Sequence, residues 1–117
     1  MDLNARLVLI TAPDLDRAKS LGRAMLAGHL AACVQLIPGM LSMYAWEGAL
    51  HEESEVLLLI KTVQERVPPI EAFLESEHPY DTPECIAFAP SAIEPRYAAW
   101  LSSWTLGDDG SLPGDKA

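Results

Sequence analysis

The run EVLLLIKTV, residues 55–63, decides the fold of this chain. Its segment VLLLI is apolar at odd and even positions alike, whereas a strand with one wet face alternates apolar and polar side chains. The preceding stretch LIPGMLSMYAW (36–46) is also apolar for much of its length. Both faces of the sheet that holds these strands are therefore expected to be covered by protein.

The two runs are predicted to pair as a hairpin, because each is rich in strand-forming residues and the turn EGAL (47–50) separates them. The first strand is predicted over residues 30–48. We expect a bend or bulge in it at Pro38 and Gly39, because proline cannot donate to a central ladder.

Working outward from the hairpin, the remaining elements follow from periodicity and capping residues. They are a strand over 5–12, a helix that Asp14 caps and that reaches about His29, a helix from Pro68 to Ser76, a strand over 85–89 and a short helix over 94–104. The order β-α-β-β-α-β with an extra C-terminal helix predicts an α+β, ferredoxin-like fold. We expect one domain over residues 1–106 and a disordered tail over 107–117.

That fold leaves one sheet face open, although the strand pattern requires cover on both faces. A second copy of the chain is the favoured cover. The alternative is that the last helix, 94–104, folds under the sheet, but this helix is short.

The composition limits which binding partners and which cellular location are expected for this chain. Among 117 residues, 8 Lys and Arg against 17 Asp and Glu give a formal charge of −9. This charge repels phosphate backbones and argues against nucleic acid, while it suits cations. We find no basic segment followed by an apolar segment at the start and no run of about 20 apolar residues, so a soluble, cytoplasmic protein without a membrane partner is expected. Two cysteines do not form a disulfide framework.

Six separated blocks of the sequence resemble, in order and spacing, the CutA family of divalent-cation tolerance proteins. The blocks are APD (12–14), LAAC (30–33), LIPG (36–39), YAWEG (44–48), SEVLLLIKT (54–62) and HPYDTPE (78–84). The resemblance covers residues 6 to 104. It implies a ferredoxin-like subunit similar to PII-like signalling proteins, and a tight homotrimer packed through sheet faces and edges. It also implies tolerance to copper and other divalent cations, which family members bind.

The sequence departs from the family pattern at three positions. Gln35 stands where the family commonly has Asn, Ile10 where some members have Cys, and Glu77 where some have a second His. The last two changes remove a thiol and an imidazole, so this chain lacks two of the soft ligands that some members offer to copper.

The candidate metal ligands are His78, Glu55 and Cys33. His78 precedes a proline and also suits a structural role at a helix C-terminus, and Cys33 also suits a small buried hydrophobe. The sequence has no CxxC or HxxxH spacing, so a metal site requires distant segments or two subunits.

A ligand cleft is expected to use polar-tipped aromatic and charged residues. The candidates are Trp46, Lys61, Tyr80, Glu84, Tyr97 and Trp100. Core or interface packing is the alternative for the aromatic residues. Glu55 and Glu84 each stand at the predicted start of a strand, and a solvated strand end is their alternative. The segment HPYDTPE is interpreted as a rigid exit from a helix that fixes Tyr80 and Glu84, and the resemblance implies that it also walls a cleft between subunits.

These observations predict a homotrimeric, copper-type divalent-cation tolerance protein that binds Cu or Zn, requires no cofactor and performs no turnover. The alternatives are a small-molecule-binding signalling trimer and a protein-interaction module. An enzyme with Cys33 as nucleophile and His78 as base is least favoured, because no glycine elbow, phosphate loop or catalytic carboxylate pair accompanies them.

Overall fold

The computed structural model describes residues 4–107 and confirms the α+β, ferredoxin-like architecture. The strands are β1 (Ala5–Ala12), β2 (Cys33–Trp46), β3 (Ala49–Val63) and β4 (Cys85–Phe88), and the helices are α1 (Leu15–Ala27), α2 (Val67–Glu77) and α3 (Pro95–Leu106). A 3-10 turn, Gln64–Arg66, joins β3 to α2. The predicted tail, 107–117, lies outside the described residues except for its first position.

The four strands form one antiparallel sheet in the order β2-β3-β1-β4. The main core lies between this sheet and helices α1 and α2, and it uses alternate positions of the strands. Its largest buried members are Val8, Ile10, Leu58, Ile60, Met25, Ile70 and Leu74. The opposite positions of β1 and β3 face the other side of the sheet.

Local sequence explains where the helices begin and end. The carboxylate of Asp14 accepts a hydrogen bond from the Arg17 amide at 2.8 Å, which caps α1. Two prolines occupy the first turn of α2, where a missing amide proton costs nothing. This helix ends at His78, whose extended backbone is the conformation that a following proline favours.

The hairpin differs from its prediction at both ends. The turn contains only Glu47 and Gly48, with φ of 50° and 78°, so β3 begins at Ala49 and Glu55 lies inside the strand. The strand β2 begins at Cys33, not at Leu30, because the Leu30 amide still bonds to the Met25 carbonyl of α1 at 2.9 Å. The predicted irregularity near Pro38 is confirmed as a register shift between Ile37 and Met40.

The extra length of the hairpin creates a two-stranded ribbon. Of β3, only residues 56–63 pair with β1. The rest of the hairpin, towards its turn, therefore consists of β2 and β3 without a third strand. The ribbon nevertheless exposes large apolar side chains, including Leu41, Met43 and Leu50, the last at 89%. A two-stranded ribbon with this surface is marginally stable by itself.

The second face of the sheet is covered only in part. Leu101 of α3 packs with Ala5 and Ala32 in a small separate cluster, so this helix covers one end of the face. Farther along the face, Ile37 and Phe88 remain about half exposed, at 48% each. The helix suggested as the alternative cover is therefore present, and it leaves an apolar surface free.

Candidate cation-binding cleft

A cleft of about 450 Å³ lies between the ribbon and the segment that joins α2 to β4. Its walls are Thr11, Tyr44, Trp46, Glu55, Pro79, Tyr80, Asp81, Thr82 and Glu84. Four of these residues were predicted site residues: Trp46, Glu55, Tyr80 and Glu84. The fold brings them together from the tip of β2, the middle of β3 and the loop before β4.

Glu55 is the most buried acidic group of the cleft, with 8% of its surface exposed. The Tyr80 hydroxyl donates a hydrogen bond to its Oε2 atom at 2.8 Å. Burial raises the pKa of Tyr80, and the hydrogen bond to Glu55 and its negative charge raise this pKa further. Tyr80 therefore stays protonated at physiological pH and donates its hydroxyl proton to Glu55.

The charge of the cleft is negative. Partial desolvation raises the pKa of Glu84, and the negative charge of Glu55 adds to that effect. Desolvation also raises the pKa of Tyr44, and the nearby Glu53 carboxylate raises it further. None of the described residues that line the cleft carries a positive charge, so its carboxylates have no basic partner there.

His78 lies behind the cleft wall and supports it. Its Nε2 donates to the Thr11 carbonyl at 2.7 Å, and its Nδ1 accepts the Tyr80 amide proton at 3.0 Å. These partners require the neutral tautomer with the proton on Nε2. Both nitrogens are thus engaged, and the predicted metal-ligand role of His78 lacks a free lone pair in this chain.

Cys33 lies far from the other two predicted metal ligands. It pairs in register with Lys61, six residues along β3 from Glu55, which is roughly 20 Å at the rise of a strand. The Lys61 ammonium donates to the Gln35 side chain at 2.7 Å. A single chain therefore does not bring Cys33 and Glu55 to one ion.

Tyr97 and Trp100 also lie away from the cleft, beside Cys33. Burial raises the pKa of the Tyr97 phenol, and the neighbouring Cys33 thiol raises this pKa further. The rings of Tyr97 and Trp100 are 5.7 Å apart. Three of the six predicted cleft residues therefore lie outside the cleft: Lys61, Tyr97 and Trp100.

Five further residues complete the walls: Thr11, Tyr44, Pro79, Asp81 and Thr82. Tyr44 carried a usable signal, because it stands two positions from Trp46 and therefore on the same strand face. Asp81 and Thr82 lie within the HPYDTPE segment that fixes Tyr80. Thr11 had no signal, since its exposure to the cleft follows from the path of a loop that begins 67 residues later.

Within residues 4–107, no group of three or more His, Cys, Asp and Glu side chains is placed to hold a metal ion. No helix in the same range is long and apolar enough to cross a membrane.

The fold and the cleft define a class of small α+β proteins in which a ferredoxin-like sheet, extended by a β-ribbon, carries an acidic site. The chain belongs to the CutA1 family, described as CutA1 divalent ion tolerance protein, whose model matches residues 6–103. This result confirms the family predicted from the six sequence blocks.

Known relatives support the same family. The divalent-cation tolerance protein CutA of Pectobacterium atrosepticum is 41% identical over 100 residues, which cover 86% of this chain and 91% of the relative. Protein CutA of Mus musculus is 42% identical over 96 residues, which are 82% of this chain and 54% of the mouse protein. The chain thus spans about half the length of the mouse protein.

Solved structures share the fold. The crystal structure of CutA1 from Oryza sativa superposes with a TM-score of 0.85 at 33% identity, over 89% of this chain and 95% of the rice chain. The ferredoxin-like topology derived from the element order therefore agrees with an experimental structure in the family.

Proposed function

We propose that this chain is a homotrimeric divalent-cation tolerance protein that binds the cation in the acidic cleft and performs no turnover. The observation that carries the proposal is the buried Glu55 carboxylate, which lines a cleft without a basic side chain. A buried anion whose partner is a neutral hydroxyl gains free energy from an added cation.

The donor atoms of the cleft favour a particular kind of cation. Glu55, Glu84 and Asp81 offer carboxylate oxygens, and the cleft contains neither sulfur nor imidazole donors. Oxygen ligands suit hard or borderline divalent ions better than Cu(I). We therefore expect Zn²⁺ or Cu²⁺ to bind with water or a second subunit completing the ligand set.

A trimer is the proposed assembly because the apolar surface left by one chain needs cover. The ribbon and the second sheet face both expose large hydrophobic side chains, among them Leu41 at 60% and Ile86 at 49%. Apolar surfaces of this kind mark interaction sites in soluble proteins. The number three comes from the family resemblance.

The absence of turnover is part of the proposal. A thiol nucleophile at Cys33 would need His78 as its base, but both nitrogens of that ring bond to the backbone of other residues. Cys33 itself lies beside Tyr97. This arrangement supports a binding protein over a cysteine-dependent enzyme.

Light scattering with and without Zn²⁺ and Cu²⁺, combined with calorimetric titration, tests the proposal. We expect a trimer in every state and saturable binding near one ion per chain. Glu55→Gln should weaken binding about tenfold or more, since it removes a charged ligand of the ion. The control Glu75→Gln removes an exposed charge from α2 and should bind as the parent does. Weak, non-saturating binding, or equal loss in both variants, would overturn the site.

A further inference from the structure

The cleft is too large and too aromatic for a bare metal ion alone. Its volume is about 450 Å³. Clefts of this size hold small organic molecules. A divalent ion and its ligands would leave most of this space to solvent.

Three aromatic side chains, Tyr44, Trp46 and Tyr80, share the walls with the carboxylates. Aromatic faces contribute little to the binding of a hydrated metal ion, but they attract an alkylated ammonium group through the ring quadrupole. The carboxylates supply the opposite charge. The wall chemistry therefore matches a cation that also has an apolar surface.

Two of these rings are held in place before any ligand arrives. Tyr80 is fixed by its hydrogen bond to Glu55 and by contact with the His78 ring, with centroids 4.8 Å apart. Tyr44 stacks on His51 at 5.3 Å. Preorganised side chains lose little entropy on binding, which favours affinity. Trp46 is half exposed, at 50%.

We propose that the cleft binds a small organic cation whose alkylated ammonium group lies between Tyr44 and Tyr80, with Glu55 as its counter-charge and Trp46 farther along the cleft wall. Thr11 and Thr82 place hydroxyl groups on the same walls, which suits a ligand that carries a hydroxyl as well. This inference rests on the proposed function only in that both assign the cleft to cations.

Calorimetry with choline and with 3,3-dimethylbutan-1-ol, its neutral isostere, tests the inference on the full chain. Choline should bind, and the neutral alcohol should bind at least about tenfold more weakly because it lacks the charge. Equal binding of both would show an apolar cleft only and would overturn the proposal, as would no binding of choline.

Variants separate this inference from the metal proposal. Tyr44→Leu should weaken choline binding about fivefold, whereas Tyr44→Phe should keep most of the choline affinity. Glu55→Gln should weaken both ligands. If Zn²⁺ binds and choline does not, this inference is overturned and the proposed function stands. If choline binds and Zn²⁺ does not, the proposed function is overturned and this inference stands.

Discussion

At the scale of single residues, the wall of the cleft depends on a buried imidazole. His78 joins the end of β1 to the loop before β4, because its two nitrogens bond to the Thr11 carbonyl and the Tyr80 amide. The Tyr80 ring is thereby brought to Glu55. A histidine can thus shape a binding site without touching the ligand.

His78→Ala should lower the free energy of unfolding by about 2–4 kcal/mol, because it leaves a cavity and two backbone groups without partners. Urea denaturation followed by circular dichroism measures the change. Glu77→Ala, an exposed neighbour on the same helix end, should change stability by less than about 0.5 kcal/mol. Equal effects of the two substitutions would contradict the structural role of His78.

Glu84 gives a prediction about pH. Partial desolvation and the charge of Glu55 raise its pKa above the value in the unfolded chain, so the folded state binds this proton more tightly. The ionised carboxylate therefore lowers stability at neutral pH, and the loss is relieved as the pH falls through the folded pKa. Glu84→Gln should raise the unfolding temperature at pH 7, and the difference should vanish below about pH 4, where the carboxyl is protonated in both states. A difference independent of pH would argue against this cause.

At the scale of elements, the hairpin turn carries a suboptimal residue. Glu47 and Gly48 both have positive φ, the geometry of a two-residue type I′ turn, which asparagine followed by glycine favours. Glu47→Asn should stabilise the fold by about 0.5–1 kcal/mol, and Gly48→Ala should destabilise it by about 1–2 kcal/mol, because only the second forces a Cβ into the left-handed region. Thermal unfolding of the two variants checks the opposite signs.

The elements were predictable where the deciding signal was local. Asp14 and the prolines of α2 marked helix starts, and the Pro38 bend was visible as a residue that a ladder excludes. The start of β2 was not predictable, because Leu30 is used by the end of α1 through a hydrogen bond that sequence spacing does not reveal.

The same limit applies to the site. Tyr80 and Glu84 are close in sequence, but their meeting with Glu55 depends on strand register.

His29 shows how tertiary contact overrides local preference. It adopts φ of 60° at the end of α1, a conformation that usually favours glycine. Its ring stacks on Trp104 at 4.0 Å, and its Nδ1 donates to the Trp104 carbonyl at 2.6 Å. Contact with a helix 75 residues away stabilises this conformation, and no local pattern could have predicted it.

At the scale of the whole molecule, the apolar second face gives a prediction about assembly. Ile37 is half exposed on one chain and is expected to be buried in the proposed trimer. Ile37→Glu would then place an unpaired charge in the interface and should shift the mass seen by light scattering from three chains towards one. Glu75→Lys, on the outer surface of α2, should leave the mass unchanged. A trimeric Ile37→Glu variant would exclude this face from the interface.

The order of the strands in the sheet has a consequence for the chain while it is being synthesised. β1, made first, lies between β3 and β4 and has no partner until residues 56–63 have been synthesised. At about 5–20 residues per second, the ribosome takes several seconds to supply them. During this interval the apolar β1 strand can pair with another chain or bind a chaperone. The rate of translation therefore sets how long this aggregation-prone strand stays unpaired.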